Sequence, residues 1–192
     1  MELSFTVNDS HVSMDTDPLR RLLDVLREDL GLYEVHEGCG EGECGSCGIL
    51  VNGRIVNACI TPVAAVQDCT VQTIEGIRDE ALYSRLEDAF AEAGAVQCGY
   101  CTAGFVLSAY AFLMDRAATP ESSPAVTAAP GATGDPAPAA DAAVAAGPAS
   151  GASSQPPDEE EIRRALAGNL CRCTGYNMIV DAVKRAAGSG ES

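Results

Sequence analysis

The chain has 192 residues and a formal net charge of −16, with 28 acidic against 12 basic side chains. That balance argues against a nucleic-acid partner, because binding phosphates needs basic patches. There is no charged-then-apolar leader and no apolar run long enough to span a membrane. Nine cysteines in such a chain point to metal or redox chemistry in a reducing, cytoplasmic setting rather than to disulfides.

Leu3-Ser4-Phe5-Thr6-Val7 alternates apolar and polar residues, as a half-buried strand does. Asn8-Asp9-Ser10 supplies turn chemistry, and His11 to Met14 returns as the second strand of a hairpin. Asp17 offers an N-cap with Pro18 at the first helical position; Leu19, Leu22, Leu23, Leu26 and Leu30 follow at helical spacing, and Gly31 stops the helix.

Next comes Gly38-Cys39-Gly40-Glu41-Gly42-Glu43-Cys44-Gly45-Ser46-Cys47-Gly48, with Cys59 a short hairpin later. The C-x4-C-x2-C spacing followed by a fourth cysteine matches the plant-type loop for a [2Fe–2S] cluster. Four thiolates must converge from several sides. The interleaved glycines let the chain wrap tightly and bring peptide N–H groups close to sulfur. Ile49-Leu50-Val51 and Arg54-Ile55-Val56 flank Asn52-Gly53, a strong hairpin signal that carries Cys59 back towards the first three cysteines. Thr70-Val71-Gln72-Thr73 reads as a closing strand, giving a small mixed sheet folded over one helix.

Helical character begins after Gly76, with Leu82, Leu86, Ala89, Phe90 and Ala93 on one face of a helix ending at Gly94. Cys98 and Cys101 sit in the turn before an apolar helix from Thr102 to Arg116, where N-terminal amides favour thiolate charge. From Ala117 to Pro157 the composition changes: eight of the ten prolines lie here, with many Ala, Gly and Ser and only three charges. Such a segment buries too little apolar surface to offset its ordering entropy, so 117–157 reads as a disordered linker inserted in the second domain. Order resumes at Asp158 with acids at a helix N-terminus. Cys171-Arg172-Cys173 forms a second tight turn, and Met178 to Ala187 is a last amphipathic helix. Packing the two helix pairs antiparallel brings both cysteine turns to one end of a four-helix bundle. Two sets of four cysteines then leave only Cys69, read as a passive residue at a strand edge.

Structural zinc remains a rival for either set, since four-thiolate zinc sites also use C-x2-C pairs; the second set, C-x2-C with C-x-C, is the less diagnostic. His11 and His36 read as ordinary surface or turn residues. Tyr100 and Tyr176 flank the second set as water shields or as packing, and Glu34, Glu37, Glu41 and Glu43 read as a solvated acidic rim.

Three stretches together resemble the small iron–sulfur subunit of molybdenum hydroxylases, the family of xanthine dehydrogenase, carbon monoxide dehydrogenase and aldehyde oxidoreductases. They are Cys39 to Cys47, Gln97-Cys98-Gly99-Tyr100-Cys101-Thr102 and Gly168-Asn169-Leu170-Cys171-Arg172-Cys173-Thr174-Gly175-Tyr176. The likeness runs from about Leu3 to Arg116 and from Asp158 to about Ala187. It implies an α+β chain: a β-grasp, plant-type ferredoxin-like domain over 1–76, then a four-helix-bundle domain over 77–188 interrupted at 117–157. By the same resemblance Cys39, Cys44, Cys47 and Cys59 hold one [2Fe–2S] cluster, and Cys98, Cys101, Cys171 and Cys173 hold the other. Gln97 and Cys173 lie on the side facing a pterin. The implied partners are a large molybdopterin-binding subunit and an FAD-binding subunit, with electrons passing from molybdenum through the bundle cluster and then the ferredoxin-domain cluster to FAD.

The family commonly has proline where this chain has Ala103, and its gap between the two bundle motifs is usually much shorter. No Ser/His/Asp set, phosphate loop or dinucleotide fingerprint appears, so the expectation is an electron-transfer subunit whose catalysis is supplied by partners. A xanthine-dehydrogenase-type purine hydroxylase leads. A carbon monoxide dehydrogenase or an aldehyde or N-heterocycle hydroxylase is the alternative, and a free-standing ferredoxin-like carrier is the alternative of another class. Deleting residues 125–150 is expected to leave iron content and turnover of the complex nearly unchanged. Iron assay and steady-state kinetics check it, and lost assembly would give the segment a role beyond that of a linker.

Overall fold

The computed structural model describes residues 1–117 and 155–188. The linker reading of 117–157 falls mostly outside the described residues. At its described ends, Ala117 closes a helix and Pro157 is buried.

Strands β1 (Glu2–Val7) and β2 (Ser10–Asp15) form an antiparallel hairpin in which Leu3 faces Met14 and Phe5 faces Val12. Asn8 and Asp9 both take positive φ, the geometry that matches the twist of the flanking strands. A second hairpin joins β3 (Gly48–Val51) to β4 (Arg54–Asn57) through Asn52-Gly53, again with both residues at positive φ. Strand β5 (Thr70–Gln72) lies between the hairpins, parallel to β1 and antiparallel to β3, so the sheet order is β2-β1-β5-β3-β4.

The alternation in β1 does what it predicts: Leu3, Phe5 and Val7 point to one face and are buried. Across from them lies a short helix, α1 (Leu22–Asp24), which continues as a π-helical turn over Val25–Asp29. Leu22, Leu23, Val25 and Leu26 are fully buried there.

The predicted helix from Pro18 is corrected. Asp17 to Arg20 forms a turn, with the Leu19 N–H on the Asp17 carboxylate and the Arg20 N–H on the Asp17 carbonyl. Arg21 bridges to Pro62, the Leu22 N–H donates to the Thr61 carbonyl, and Arg20 accepts from the Val63 N–H. Pairing with the segment after Cys59 thus takes the backbone groups that a helical first turn would leave free. Leu19, expected on the apolar stripe, is 78% exposed.

The C-terminal part is helical: α2 (Ala81–Glu92), α3 (Thr102–Ala117), α4 (Glu159–Ala165) and α5 (Asn177–Gly188). Helix α2 packs on α3 and α5, and α4 packs on the same two. The described chain is therefore a mixed sheet plus five α-helices, one of them under the sheet. Helix α2 ends in a Schellman motif, with Gly94 at positive φ, the Gly94 N–H on the Ala91 carbonyl and the Ala95 N–H on the Phe90 carbonyl. Helix α4 opens on a capping box between Asp158 and Glu161. Arg116 is buried at the end of α3, paired with Glu161 at 3.1 Å, donating to the Gln155 carbonyl and lying against the Phe112 ring.

Two hydrophobic cores result, and β3 belongs to both. Ile49 points into the core shared by β1 and α1, whereas Leu50 points into the core of α2–α5. The sheet is covered on its second face by α3, which packs against β3 and β4.

Phe105, fully buried on α3 and edge-on to Tyr176, anchors the second core. Phe105→Ala should destabilise the chain by about 3–5 kcal/mol. Leu19→Ala should change stability by less than about 0.5 kcal/mol. Chemical denaturation followed by circular dichroism measures both, and equal effects would show that Phe105 is not an anchor.

Candidate metal centres

The loop carrying the first cysteines is held from outside before it turns. Arg21 donates to both carboxylate oxygens of Asp24, at 2.8 and 2.6 Å, and to Glu37 at 2.6 Å. Arg27 donates to the carbonyls of Tyr33 and Val35. Glu34 accepts from the buried Thr73 hydroxyl at 2.8 Å. The expected acidic rim is therefore only partly free, since Glu34 and Glu37 tie the loop to the fold.

Within the loop the Cys39 N–H lies 3.3 Å from the Cys44 sulfur, and the Glu41 N–H lies 3.4 Å from the Cys39 sulfur. That Glu41 amide does most to pull the Cys39 thiol down to about 7. Cys59 is delivered by the β3–β4 hairpin, where the Ala58 N–H donates to the Cys47 carbonyl, and burial pushes Cys47 up to about 12. Asn57 steadies the assembly: its amide donates to the Gly42 carbonyl at 2.7 Å, and its oxygen lies 4.0 Å from the Cys47 sulfur. The thiols of this set act on one another: Cys44 on Cys39, and both Cys59 and Cys44 on Cys47.

The second set is likewise linked, with Cys171 and Cys98 acting on Cys101, and Cys98 and Cys171 acting on Cys173. Burial acts to raise the Cys171 thiol, but hydrogen bonds from the Thr174 hydroxyl, at 3.1 Å, and the Thr174 amide outweigh it and lower the thiol. The Cys171 N–H donates to the Tyr176 hydroxyl at 3.1 Å. Tyr176 thus serves the turn as well as packing on Phe105, and it does so from a positive φ. The expectation that the entrance of α3 favours thiolate is overturned at Cys101: burial, reinforced by Cys171, pushes its thiol up to about 12. Gln97, Cys98, Arg172 and Cys173 share an exposed end, and Cys39 is exposed at the first loop. Tyr100 is exposed, its ring stacked on His36 at 4.5 Å, so it is not core.

The two turns touch. The Leu170 N–H donates to the Cys44 carbonyl at 2.9 Å, and next to it the buried Asn169 side chain donates to the Gly45 carbonyl and accepts from the Ser108 hydroxyl. Gly45 and Gly104 permit this approach, because a Cβ on Gly45 would strike the Asn169 amide and one on Gly104 would strike the Gly45 carbonyl. Asn57 and Ser108 have no local signal as site residues in the sequence; Asn169 and Thr174 lie in the quoted Gly168–Tyr176 stretch, but their bonding roles show only in the structure.

All nine cysteines are free. Among the described residues no group of three or more His, Cys, Asp or Glu side chains is placed to hold a metal ion as it stands. Two sets of four thiols, with peptide N–H groups on the sulfurs, suit two dinuclear clusters, in each of which an iron takes two thiolates. A tetrahedral zinc ion would take all four at one centre. No described helix is long and apolar enough to cross a membrane.

Residues 5–82 match the family model of the 2Fe-2S iron-sulfur cluster binding domain, and residues 73–184 match that of the [2Fe-2S] binding domain. The nicotinate dehydrogenase small FeS subunit of Eubacterium barkeri is 39% identical over 96% of this chain and 93% of its own. The xanthine dehydrogenase iron-sulfur-binding subunit of Escherichia coli O157:H7 is 34% identical over 93% of this chain and 89% of its own. Among solved structures, the aldehyde oxidoreductase from Desulfovibrio gigas superposes with a TM-score of 0.72 at 31% identity; the match covers 97% of this chain but only 17% of that longer one. With two [2Fe–2S]-binding domains in tandem and relatives that align along nearly its whole length, the chain belongs to the small iron–sulfur subunits of the molybdenum hydroxylase family.

Proposed function

We propose that this chain carries electrons between a molybdenum–pterin centre on a large subunit and FAD on a third subunit. The observation that carries the reading is the backbone hydrogen bond from Leu170 N–H to the Cys44 carbonyl, which joins the two cysteine sets. Each set keeps an exposed cysteine, Cys39 in the first and Cys98 and Cys173 in the second, so each is open to a partner. Cys39, Cys44, Cys47 and Cys59 would hold one [2Fe–2S] cluster, and Cys98, Cys101, Cys171 and Cys173 the other. Each cluster when bound accepts and releases one electron.

The protein's own residues do the rest. The Glu41, Cys39 and Thr174 amides and the Thr174 hydroxyl donate to sulfur, favour thiolate and tune potential. Buried Cys47, Cys59 and Cys171 keep one side of each site dry. Gln97 and Cys173, on the exposed end, would face the pterin. We take 1–76 as a β-grasp ferredoxin-like domain, supported by the parallel β1–β5 pair over α1, and 77–188 as a four-helix bundle, supported by the α2–α5 packing. A cytoplasmic location suits nine free thiols.

The sequence of the first cysteine loop, Glu37 to Cys44, resembles that of xanthine-dehydrogenase-type purine hydroxylases, which supports a purine substrate for the complex. The higher identity to a nicotinate dehydrogenase subunit favours a second reading, hydroxylation of a simpler N-heterocycle. Xanthine and nicotinate assayed on the purified complex decide between them.

Anaerobic purification should yield a complex with a larger molybdopterin-containing chain, with about four irons and four acid-labile sulfides on this subunit. A colourless chain with one zinc per cysteine set, or a chain that holds its clusters but has no fixed partner, would overturn the reading. Cys44→Ala should abolish one reduced-cluster EPR signal and keep the other; persistence of both removes Cys44 from the ligands.

A further inference from the structure

Asn169 is 5% exposed, and it lies between the two cysteine sets without belonging to either. It follows α4, held by its own N–H on the Leu166 carbonyl, and precedes Leu170 and Cys171. The Gly45 carbonyl can only accept, so the end of the Asn169 side chain facing it, at 3.3 Å, is the NH2 group. The other end is then the oxygen, which accepts from the Ser108 hydroxyl at 2.8 Å. The carboxamide is thus spanned between α3 and the first cysteine loop, with no rotamer left free. An apolar side chain of similar volume would fill the space without the desolvation cost of an amide. What the amide adds is direction. It places Gly45 and, with it, the adjoining Cys44 carbonyl at a set position relative to the next N–H in the chain, that of Leu170.

We propose that Asn169 is a positioning residue for electron transfer between the two halves of the chain, acting through Ser108 and Gly45 to hold the Leu170 N–H on the Cys44 carbonyl. This rests on the two-cluster reading above. The reduced molybdenum partner supplies the electron and the flavin partner takes it up. Between them one electron leaves the bundle half and one enters the sheet half, no bond is made or broken, and the Asn169 amide keeps both protons. Tunnelling through a hydrogen bond falls off less steeply than across an empty gap. A small displacement of Leu170 from Cys44 therefore lowers the transfer rate without changing either cluster's ligands.

The test uses the purified holo-complex. Wild type must first show two reduced-cluster EPR signals and full iron and sulfide, and failure there counts against the two-cluster reading, not against Asn169. Asn169→Asp keeps the volume and the acceptor for Ser108 but sets an oxygen against the Gly45 carbonyl. Electron equilibration between the two clusters, followed by freeze-quench EPR after one-electron reduction, should slow by about tenfold or more, the size of effect typical for residues supporting a metal site. Amide exchange in a peptide containing Leu170 should rise in parallel. Ser108→Ala should give a smaller fall in the same direction, and it decides the matter by the same criteria if the Asp variant fails to assemble. An equilibration rate within about twofold of wild type at full iron content overturns the proposal. So does a slowing wholly accounted for by shifted cluster potentials.

Discussion

The Cys44-Gly45 backbone is where the two halves of this protein are joined. Its carbonyls receive the Leu170 amide and the Asn169 side chain, the latter from 124 residues further along the chain. Such a joint asks for small residues, since side chains on Gly45 or Gly104 would hold the loop away from α3. It also asks for buried polar groups with every partner met, and no described buried side-chain nitrogen or oxygen lacks one. The shared strand β3 serves the same end: with Ile49 in one core and Leu50 in the other, the loop that precedes it cannot drift relative to the helices.

The cysteine loops are built as cages of N–H groups on a rigid frame. Their thiols differ in character: the Glu41 amide lowers exposed Cys39, while burial raises Cys47 and Cys101. A site that binds iron as thiolate must release those protons when the metal enters, so the donors around sulfur matter to loading as well as to potential. The supports are side chains of ordinary type, Asn57, Thr174 and Tyr176, placed by the hairpin turn and by the entrance of α5.

Charge plays two parts. The overall excess of acid favours solubility. Close to the first loop, however, carboxylates are used one at a time: Glu37 and Asp24 on Arg21, and Glu34 on Thr73. These contacts fasten the segment between the π-helical turn and Cys39, which has no regular structure to hold it.

Spacing and alternation by themselves determined the two hairpins, the closing strand, α3 and α5 to within a residue or two, and the existence and end of α2, whose start lies four residues later than expected. Each of these depends on local rules, such as side-chain periodicity and Asn-Gly turn geometry. Tertiary structure decided what neighbours far along the chain impose. The start of α1 moved from Pro18 to Leu22 because the segment at Thr61 to Val63 pairs with Arg20 to Leu22. Cys101 went up rather than down because burial outweighs the helix entrance. Asn169 and Ser108 became a joint only when α3 and the first cysteine loop closed around them, since a buried hydrogen bond between distant residues leaves no periodic trace in the order of the amino acids.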